Sequence, residues 1–345
     1  MLKSLKDFDV AEKRILTRCD FNVPLNKDGT VASDFKIRES LPTLQYLTAN
    51  GAKTILISHL DNPDGTVTST LDPVKEKLES LLNVKIEKTS DCVGEEAENE
   101  TSKLNPGEIL LLENVRFHKE EFDNDPEFSK KLSLLGDVYI NDAFAVSHRS
   151  HASVIGIPAI LPHGAGFLLM KEVESLRRIL DNPPKPMIAL IGGKNVQTKS
   201  KFIKSISRMA DFVLVSGLIK KEMVEKKMEL AYPEKIIGPA HNFDALDIDE
   251  KTIALFEEKI ISAKTIIWNG PFGKFEDEKY KNGTLTIARA IIKSGAFSVT
   301  GGGETVEFLD KEGLTSQFSH VSTGGGAMLA YLAGENLPGL EALES

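Results

Sequence analysis

Short apolar runs alternate with amphipathic stretches along almost the whole chain. Ile15–Arg18, Lys53–Ile57, Val84–Ile86, Ile109–Leu112 and Asp137–Ile140 have strand length and strand composition. Between them, Lys36–Ala49 repeats apolar residues at Ile37, Leu41, Leu44 and Leu47, a helical period that stops at the cap signal Asn50-Gly51. Val74–Leu82 and Pro126–Leu135 read as helices in the same way. Leu168–Leu180 carries Leu169, Val173, Leu176 and Leu180 on one stripe and predicts a long helix. The stretch Asn182-Pro183-Pro184-Lys185-Pro186 then marks a boundary. A second alternating set follows. It runs through strand Met187–Ile191, helix Lys199–Met209, strand Phe212–Val215, helix Ile219–Lys227 and strand Lys235–Ile237. Helix Thr252–Ile261, strand Thr265–Trp268, helix Leu285–Ser294 and strand Phe297–Val299 complete it. This alternation predicts an α/β protein of two doubly wound parallel-sheet domains. They span 1–165 and 185–330, with 166–184 as interdomain helix and linker.

Composition narrows the class. A chain of 345 residues fits about two domains and buries enough to need no disulfide or structural metal. The net charge of −9 argues against nucleic acid or an anionic membrane as partner, while leaving room for a small basic cleft. Cys19 and Cys92, the two cysteines, read as inert thiols in a reducing compartment. The start Met-Leu-Lys-Ser-Leu-Lys-Asp lacks the apolar core of a signal peptide, and no run has membrane-helix length. The expectation is a cytoplasmic protein.

The candidate chemistry lies just after the apolar runs. Gly192-Gly193, Gly301-Gly302-Gly303 and Gly324-Gly325-Gly326 each follow a strand-like segment, as does Trp268-Asn269-Gly270-Pro271-Phe272-Gly273. Glycine between strand and helix lets backbone N–H groups approach a phosphate, and the helix start adds its dipole. One such pair is usually a tight turn; three in one half-chain point to a nucleotide-sized anion. Neither a P-loop nor a dinucleotide-fold fingerprint is present. In the first half, Arg18, Asp20, Asn22, Lys36, His59, Arg116, His148, Arg149 and His151 gather at predicted strand ends. A basic group in an acidic chain suggests a small polyanionic substrate.

These residues carry a resemblance. Asp20-Phe21-Asn22-Val23-Pro24-Leu25, Leu41-Pro42-Thr43, Ser58-His59-Leu60, Glu113-Asn114-Val115-Arg116-Phe117-His118 and His148-Arg149-Ser150-His151 resemble successive signatures of the phosphoglycerate kinase family. Trp268-Asn269-Gly270-Pro271, Gly273, Phe275-Glu276, Gly301–Gly303 and Ser322-Thr323-Gly324-Gly325-Gly326 extend it from about residue 15 to the C-terminus. The resemblance implies phosphoryl transfer between 1,3-bisphosphoglycerate and ADP, giving 3-phosphoglycerate and ATP, with Mg²⁺ on the nucleotide. It implies a glycerate-binding first domain, a nucleotide-binding second domain, a hinge, and a tail, 331–345, packed on the first domain. Arg18, Asp20, Asn22, Lys36, His59, Asn62, Arg116 and Arg149 then fall at substrate positions. Gly193, Asn195, Lys199, Gly217, Asn269, Pro271, Gly273, Glu276, Gly302, Gly303, Glu304 and Thr305 fall at nucleotide positions, with Glu304 beside the metal. Lys36, Lys199 and Lys194 would spread the charge of the moving phosphoryl group, and a monomer is expected.

Four positions depart from the family pattern. Lys36 stands for its transfer-site Arg, and Asp61-Asn62 for a Gly-Arg pair. Lys194-Asn195 replaces Ala-Lys, and Glu304 replaces Asp. A segment within about Ile219–Asp247 is shortened, trimming the scaffold beside the adenine pocket. Three readings follow: a phosphoglycerate kinase with a rebuilt site, a paralogue acting on a less anionic acid, or a non-catalytic relative that binds nucleotide.

Overall fold

The computed structural model describes residues 2–62, 65–193, 197 and 199–344. Two compact units emerge, Met1–Glu172 with Asn336–Ser345, and Val173–Glu335.

The first unit contains β1 (Arg14–Arg18), α1 (Phe35–Ala49), β2 (Lys53–Ile57), α2 (Asp72–Leu82), β3 (Glu87–Lys88), α3 (Glu95–Lys103) and β4 (Ile109–Leu111). Then come α4 (Lys119–Phe122), α5 (Pro126–Ser133), β5 (Val138–Asn141), β6 (His163–Ala165) and the start of α6 (Phe167–Asp181). The strands form a parallel six-stranded sheet in the order β3-β4-β2-β1-β5-β6. Ile15, Leu16, Ile55, Leu56, Ile57, Leu110 and Ile140 are buried, as a sheet covered on both faces requires. α1 adds Ile37, Leu44 and Leu47 to this core, and Gly51 turns the chain at φ +70°. From β1 the chain passes to β2 on one side, whereas β5 lies on the other. The carboxyl ends of β1 and β5 therefore flank a switch point, where diverging loops leave a crevice.

Several elements differ from expectation, β3 and α3 among them. Val84 is exposed, and the short strand forms at Glu87–Lys88 instead, opposite Leu110 and Leu111. α3 was invisible to hydrophobic periodicity because only Ala97 and Thr101 are buried on it.

The second unit contains β7 (Met187–Ile191), α7 (Ser200–Met209), β8 (Phe212–Val215), α8 (Gly217–Glu225), β9 (Ile236–Ile237) and α9 (Glu250–Ser262). It continues with β10 (Thr265–Asn269), α10 (Asn282–Ser294), β11 (Phe297–Gly301), α11 (Gly303–Lys311), β12 (His320–Ser322) and α12 (Gly325–Leu332). Its parallel six-stranded sheet runs β12-β11-β10-β7-β8-β9, with the switch point between β7 and β10. Ser216 and Asp249 cap α8 and α9 by accepting from backbone N–H groups. Between α8 and α9 lie only a single helical turn at Pro233–Lys235 and the two-residue β9. α13 (Pro338–Glu341) returns to the first unit, where the Gly339 N–H donates to the Ser147 carbonyl at 2.8 Å.

Among the described residues no helix is long and apolar enough to cross a membrane. Burial raises the pKa of both free thiols, Cys19 and Cys92, which keeps them protonated and unreactive.

Asp142, just beyond β5, is fully buried and accepts from the Leu168 and Leu169 N–H groups, at 2.9 and 3.3 Å, at the start of α6. Burial pushes its pKa from 3.8 up to about 7, although hydrogen bonds from Thr43 and from these amides pull it down. The native state therefore holds a proton that the unfolded chain releases between those values. The associated stability is complete below about pH 4 and is lost as pH rises through about 7. Asp142→Asn keeps an acceptor for α6 and removes the charge. Thermal melts at about pH 5 and about pH 8 are expected to show the variant gaining on the wild type at the higher pH.

Candidate active site

In the first unit the site is built outward from Arg18, the last residue of β1, whose side chain is entirely buried. Its Nε donates to Ser153 Oγ at 2.8 Å, its Nη1 to the Cys19 carbonyl, and its Nη2 to His59 Nδ1 at 3.1 Å. A guanidinium only donates, so His59 Nδ1 accepts and Nε2 carries the ring proton. That nitrogen lies 3.9 Å from Asp20 Oδ1. Lys36, from the first turn of α1, pairs with Asp20 Oδ2 at 2.7 Å, and the Asn22 N–H donates to Asp20 Oδ1 at 3.0 Å.

Arg116 joins from the turn after β4. Asn114 positions this turn by accepting from the Arg116 N–H at 3.0 Å and donating to the Leu60 and Ser69 carbonyls, at 2.7 and 3.0 Å. The Arg116 guanidinium contacts Asp61 Oδ2. Asp61 is held in turn by Asn22, whose Oδ1 accepts the Asp61 N–H at 3.1 Å. Asp61 therefore faces the cluster. Arg149 is exposed and makes no ion pair among the described residues. His59, His148 and His151 all titrate below their ordinary value, His151 at about 4. Burial is the leading cause for each, and guanidinium charge adds to it: Arg18 and Arg116 at His59 and His151, Arg149 at His148. All three are neutral at pH 7 and sit in a positive field.

Asn62 is the residue not delivered to this cluster. Its Nδ2 donates to Thr66 Oγ1 at 2.7 Å and Thr68 Oγ1 at 2.6 Å, and its Oδ1 accepts from Ser69 Oγ. The amide is spent within its own loop. Sequence reasoning also missed Glu121. It is fully buried on α4, and its carboxylate accepts from Ser153 N–H and Oγ at 2.8 and 2.6 Å. It lies in a charged run, Lys119-Glu120-Glu121, that reads as a solvated turn.

In the second unit the site lies at the switch point between β7 and β10. The Gly192 N–H donates to the Asn269 carbonyl at 2.9 Å and the Gly193 N–H to the Pro271 carbonyl at 2.8 Å. A Cβ on Gly192 would collide with the Gly270 and Pro271 carbonyls, and one on Gly325 would lie 2.5 Å from Gly302 Cα. Glycine is needed at Gly192 so that two strand ends can touch, and at Gly325 so that the starts of α11 and α12 can. Gly303 and Gly326, at the starts of α11 and α12, instead face open space. The clusters thus do two jobs: some glycines permit close backbone contact, and others leave a helix start open. Trp268 Nε1 donates to the Gly270 carbonyl at 2.8 Å, and Thr305 Oγ1 accepts the Gly270 N–H at 2.8 Å. Asn269 Nδ2 donates to the Gly301 carbonyl at 2.8 Å.

Lys199, just before α7, reaches the Gly192 carbonyl with Nζ. Burial lowers its pKa to about 8, partly offset by the Glu304 carboxylate. A cavity of about 720 Å³ is lined by Lys199, Asn269, Gly302, Gly303, Glu304 and Thr305. A second, of about 260 Å³, is lined by Gly193, Gly217, Pro271, Gly273, Glu276 and again Glu304. Two expected positions, Lys194 and Asn195, lie outside the described residues.

A family model described as phosphoglycerate kinase matches residues 5–229 and 222–335. The chain belongs to the phosphoglycerate kinase family. The phosphoglycerate kinase of Dictyoglomus turgidum is 41% identical over 387 aligned positions, covering 99% of this chain and 98% of that one. The phosphoglycerate kinase of Moorella thermoacetica is 39% identical, with the same coverage. The crystal structure of the Pyrococcus horikoshii phosphoglycerate kinase matches with a TM-score of 0.90 at 33% identity, over 100% of this chain and 98% of that one. For the phosphoglycerate kinase of Coxiella burnetii the TM-score is 0.78 at 32% identity, over 100% and 99%. The 387 aligned positions exceed the chain's 345 residues, so the Dictyoglomus phosphoglycerate kinase carries segments with no counterpart here.

The two glycine roles predict different mutational costs. Gly192→Ala is expected to lower stability by about 1–3 kcal/mol or more through backbone overpacking. Gly303→Ala, with no neighbour to displace, is expected to leave the denaturation midpoint unchanged; urea titration measures both.

Proposed function

We propose that this chain catalyses reversible phosphoryl transfer between 1,3-bisphosphoglycerate and ADP, giving 3-phosphoglycerate and ATP. Besides family membership, one observation carries the reading. A basic cluster, Arg18, Lys36, Arg116 and Arg149, stands at the carboxyl edge of one parallel sheet, and a glycine-lined cavity holding Lys199 stands at the same edge of another. Each is where an open α/β sheet binds ligand. The first would hold the acid and the second the nucleotide, with adenosine toward the smaller cavity and Glu276 at its ribose.

The transfer needs little covalent chemistry from the protein. In the direction of acyl phosphate synthesis, a carboxylate oxygen attacks the γ-phosphorus of ATP and the bond to the β–γ bridging oxygen breaks. ADP leaves with that electron pair. The attacking carboxylate is already ionised, so no general base is required. The histidines stay neutral and act as hydrogen-bonding groups. Lys36 and Lys199 neutralise charge on the moving phosphoryl group, and the N–H groups of Gly303 and Gly326 add donors. Lys36 supplies a compact charge rather than the two-pronged fork of an arginine. Glu304, exposed at the mouth of both cavities, is the carboxylate that would hold a nucleotide-bound Mg²⁺, whose contribution is to neutralise phosphate charge. The proposal extends to a cytoplasmic monomer whose partners are these small anions, and the net charge of −9 supports the exclusion of nucleic acid and membrane.

A coupled assay with 3-phosphoglycerate, ATP and Mg²⁺ tests the reading, and absence of turnover at millimolar substrate would reject it. Lys36→Ala is expected to reduce kcat by about 10²–10³, the usual loss for one donor aimed at developing charge. Lys199 is cationic below about pH 8 and neutral above it. kcat/KM for the nucleotide should therefore fall as pH rises through about 8, and Lys199→Arg, which keeps its charge, should move that fall upward.

A further inference from the structure

The ion pairs of the first unit leave little positive charge uncommitted. Lys36 is paired with Asp20 at 2.7 Å, and the Arg116 guanidinium has its charge countered by Asp61 through Nη1. The Arg18 guanidinium is consumed by Ser153, the Cys19 carbonyl and His59. Only Arg149 is both exposed and without an ion pair among the described residues of this cluster. The three histidines add no charge at neutral pH, because each titrates below its ordinary value.

The Asp61–Arg116 pair is also hard to part. The side chains are 20% and 11% exposed, so each charge depends on the other for solvation. Arg116 Nε and Asp61 Oδ1 are buried with no hydrogen-bond partner among the described residues, and Asp61 Oδ2 also accepts from Asn22 Nδ2 at 3.4 Å. Asn22 anchors the Asp61 backbone through the 3.1 Å hydrogen bond to its N–H, which keeps the carboxylate in place. The next residue, Asn62, cannot compensate, since its amide is taken by Thr66, Thr68 and Ser69. A phosphate dianion entering here would compete with Asp61 for Arg116 and then lie beside the displaced carboxylate. A hydroxyl would meet neither penalty.

We propose that Asp61 is a specificity-determining residue that biases the acid site toward small hydroxy acids whose only anion is the carboxylate. This rests on the carboxylate phosphotransfer proposed above and names the substrate class of that same site. With glycerate, the unphosphorylated counterpart of 3-phosphoglycerate, the reaction is the same. A carboxylate oxygen bonds to the γ-phosphorus, ADP departs with the bridging oxygen, and glycerate 1-phosphate forms.

The test compares kcat/KM for glycerate and 3-phosphoglycerate in wild type, Asp61→Asn and Asp61→Gly, with hydroxylamine trapping the acyl phosphate. Wild type is expected to use glycerate within about tenfold of 3-phosphoglycerate. Either variant should shift the ratio toward 3-phosphoglycerate by about tenfold or more, the worth of one freed charge-assisted hydrogen bond, with the change in KM. The melting-temperature rise induced by 3-phosphoglycerate should grow in the variants, a readout independent of turnover. A ratio unchanged within about twofold, with 3-phosphoglycerate turned over normally, overturns the role of Asp61 and leaves the phosphotransfer standing. Failure of all three proteins to phosphorylate either acid overturns both.

Discussion

A guanidinium that is wholly buried must be solvated by protein, because transferring an uncompensated cation from water into a protein interior costs several kcal/mol. Arg18 imposes that requirement at the end of β1, and much of the first unit's site follows from it. Ser153, the Cys19 carbonyl and His59 supply the acceptors. Ser153 in turn is held by the buried carboxylate of Glu121, which provides the countercharge at one remove. His59, fixed by accepting from Arg18, presents its N–H toward Asp20, and Asp20 orients Lys36. One buried charge thus sets the tautomer of a histidine and the position of a lysine some distance away in sequence.

The second unit meets the same problem with less apparatus. Lys199 is a flexible point charge, so burial lowers its pKa rather than recruiting a shell of partners. Its surroundings are backbone: the Gly192 carbonyl, Gly193 and Gly270. That backbone is available because strand ends that would be spaced by side chains are brought into contact at Gly192 and Gly270. The result is a cavity partly walled by backbone amide groups, a lining suited to phosphate oxygens, with Lys199 and Lys201 as cations and Glu304 and Glu335 as carboxylates around it.

The departures from the family pattern acquire different weights in this setting. Lys36 keeps its charge and its carboxylate partner. Asp61 matters more, because it reaches Arg116 and sets a negative charge against that cation. The same substitution on an exposed loop would be screened by water; here both groups are mostly buried, and the charge is felt.

Strand and helix positions of both units were legible from hydrophobic period, since Met187–Ile191 and Phe212–Val215 pack on both faces and cannot be polar. So was the gathering of Arg18, Asp20, His59 and Arg116, because residues that follow parallel strands share one edge of the sheet. The polar helix α3 and the burial of Glu121 were not legible, because burial there follows from what packs against them and not from their own pattern. Composition and order by themselves determined two parallel α/β sheets and the edge on which chemistry would stand. Only tertiary structure decided which charges neutralise one another there: that Asp61 faces Arg116, that Asn62 folds into its own loop, and that some glycines hold strands together while others face the cavity. Such pairings depend on distances of a few ångströms between residues far apart in sequence, and no local pattern encodes them.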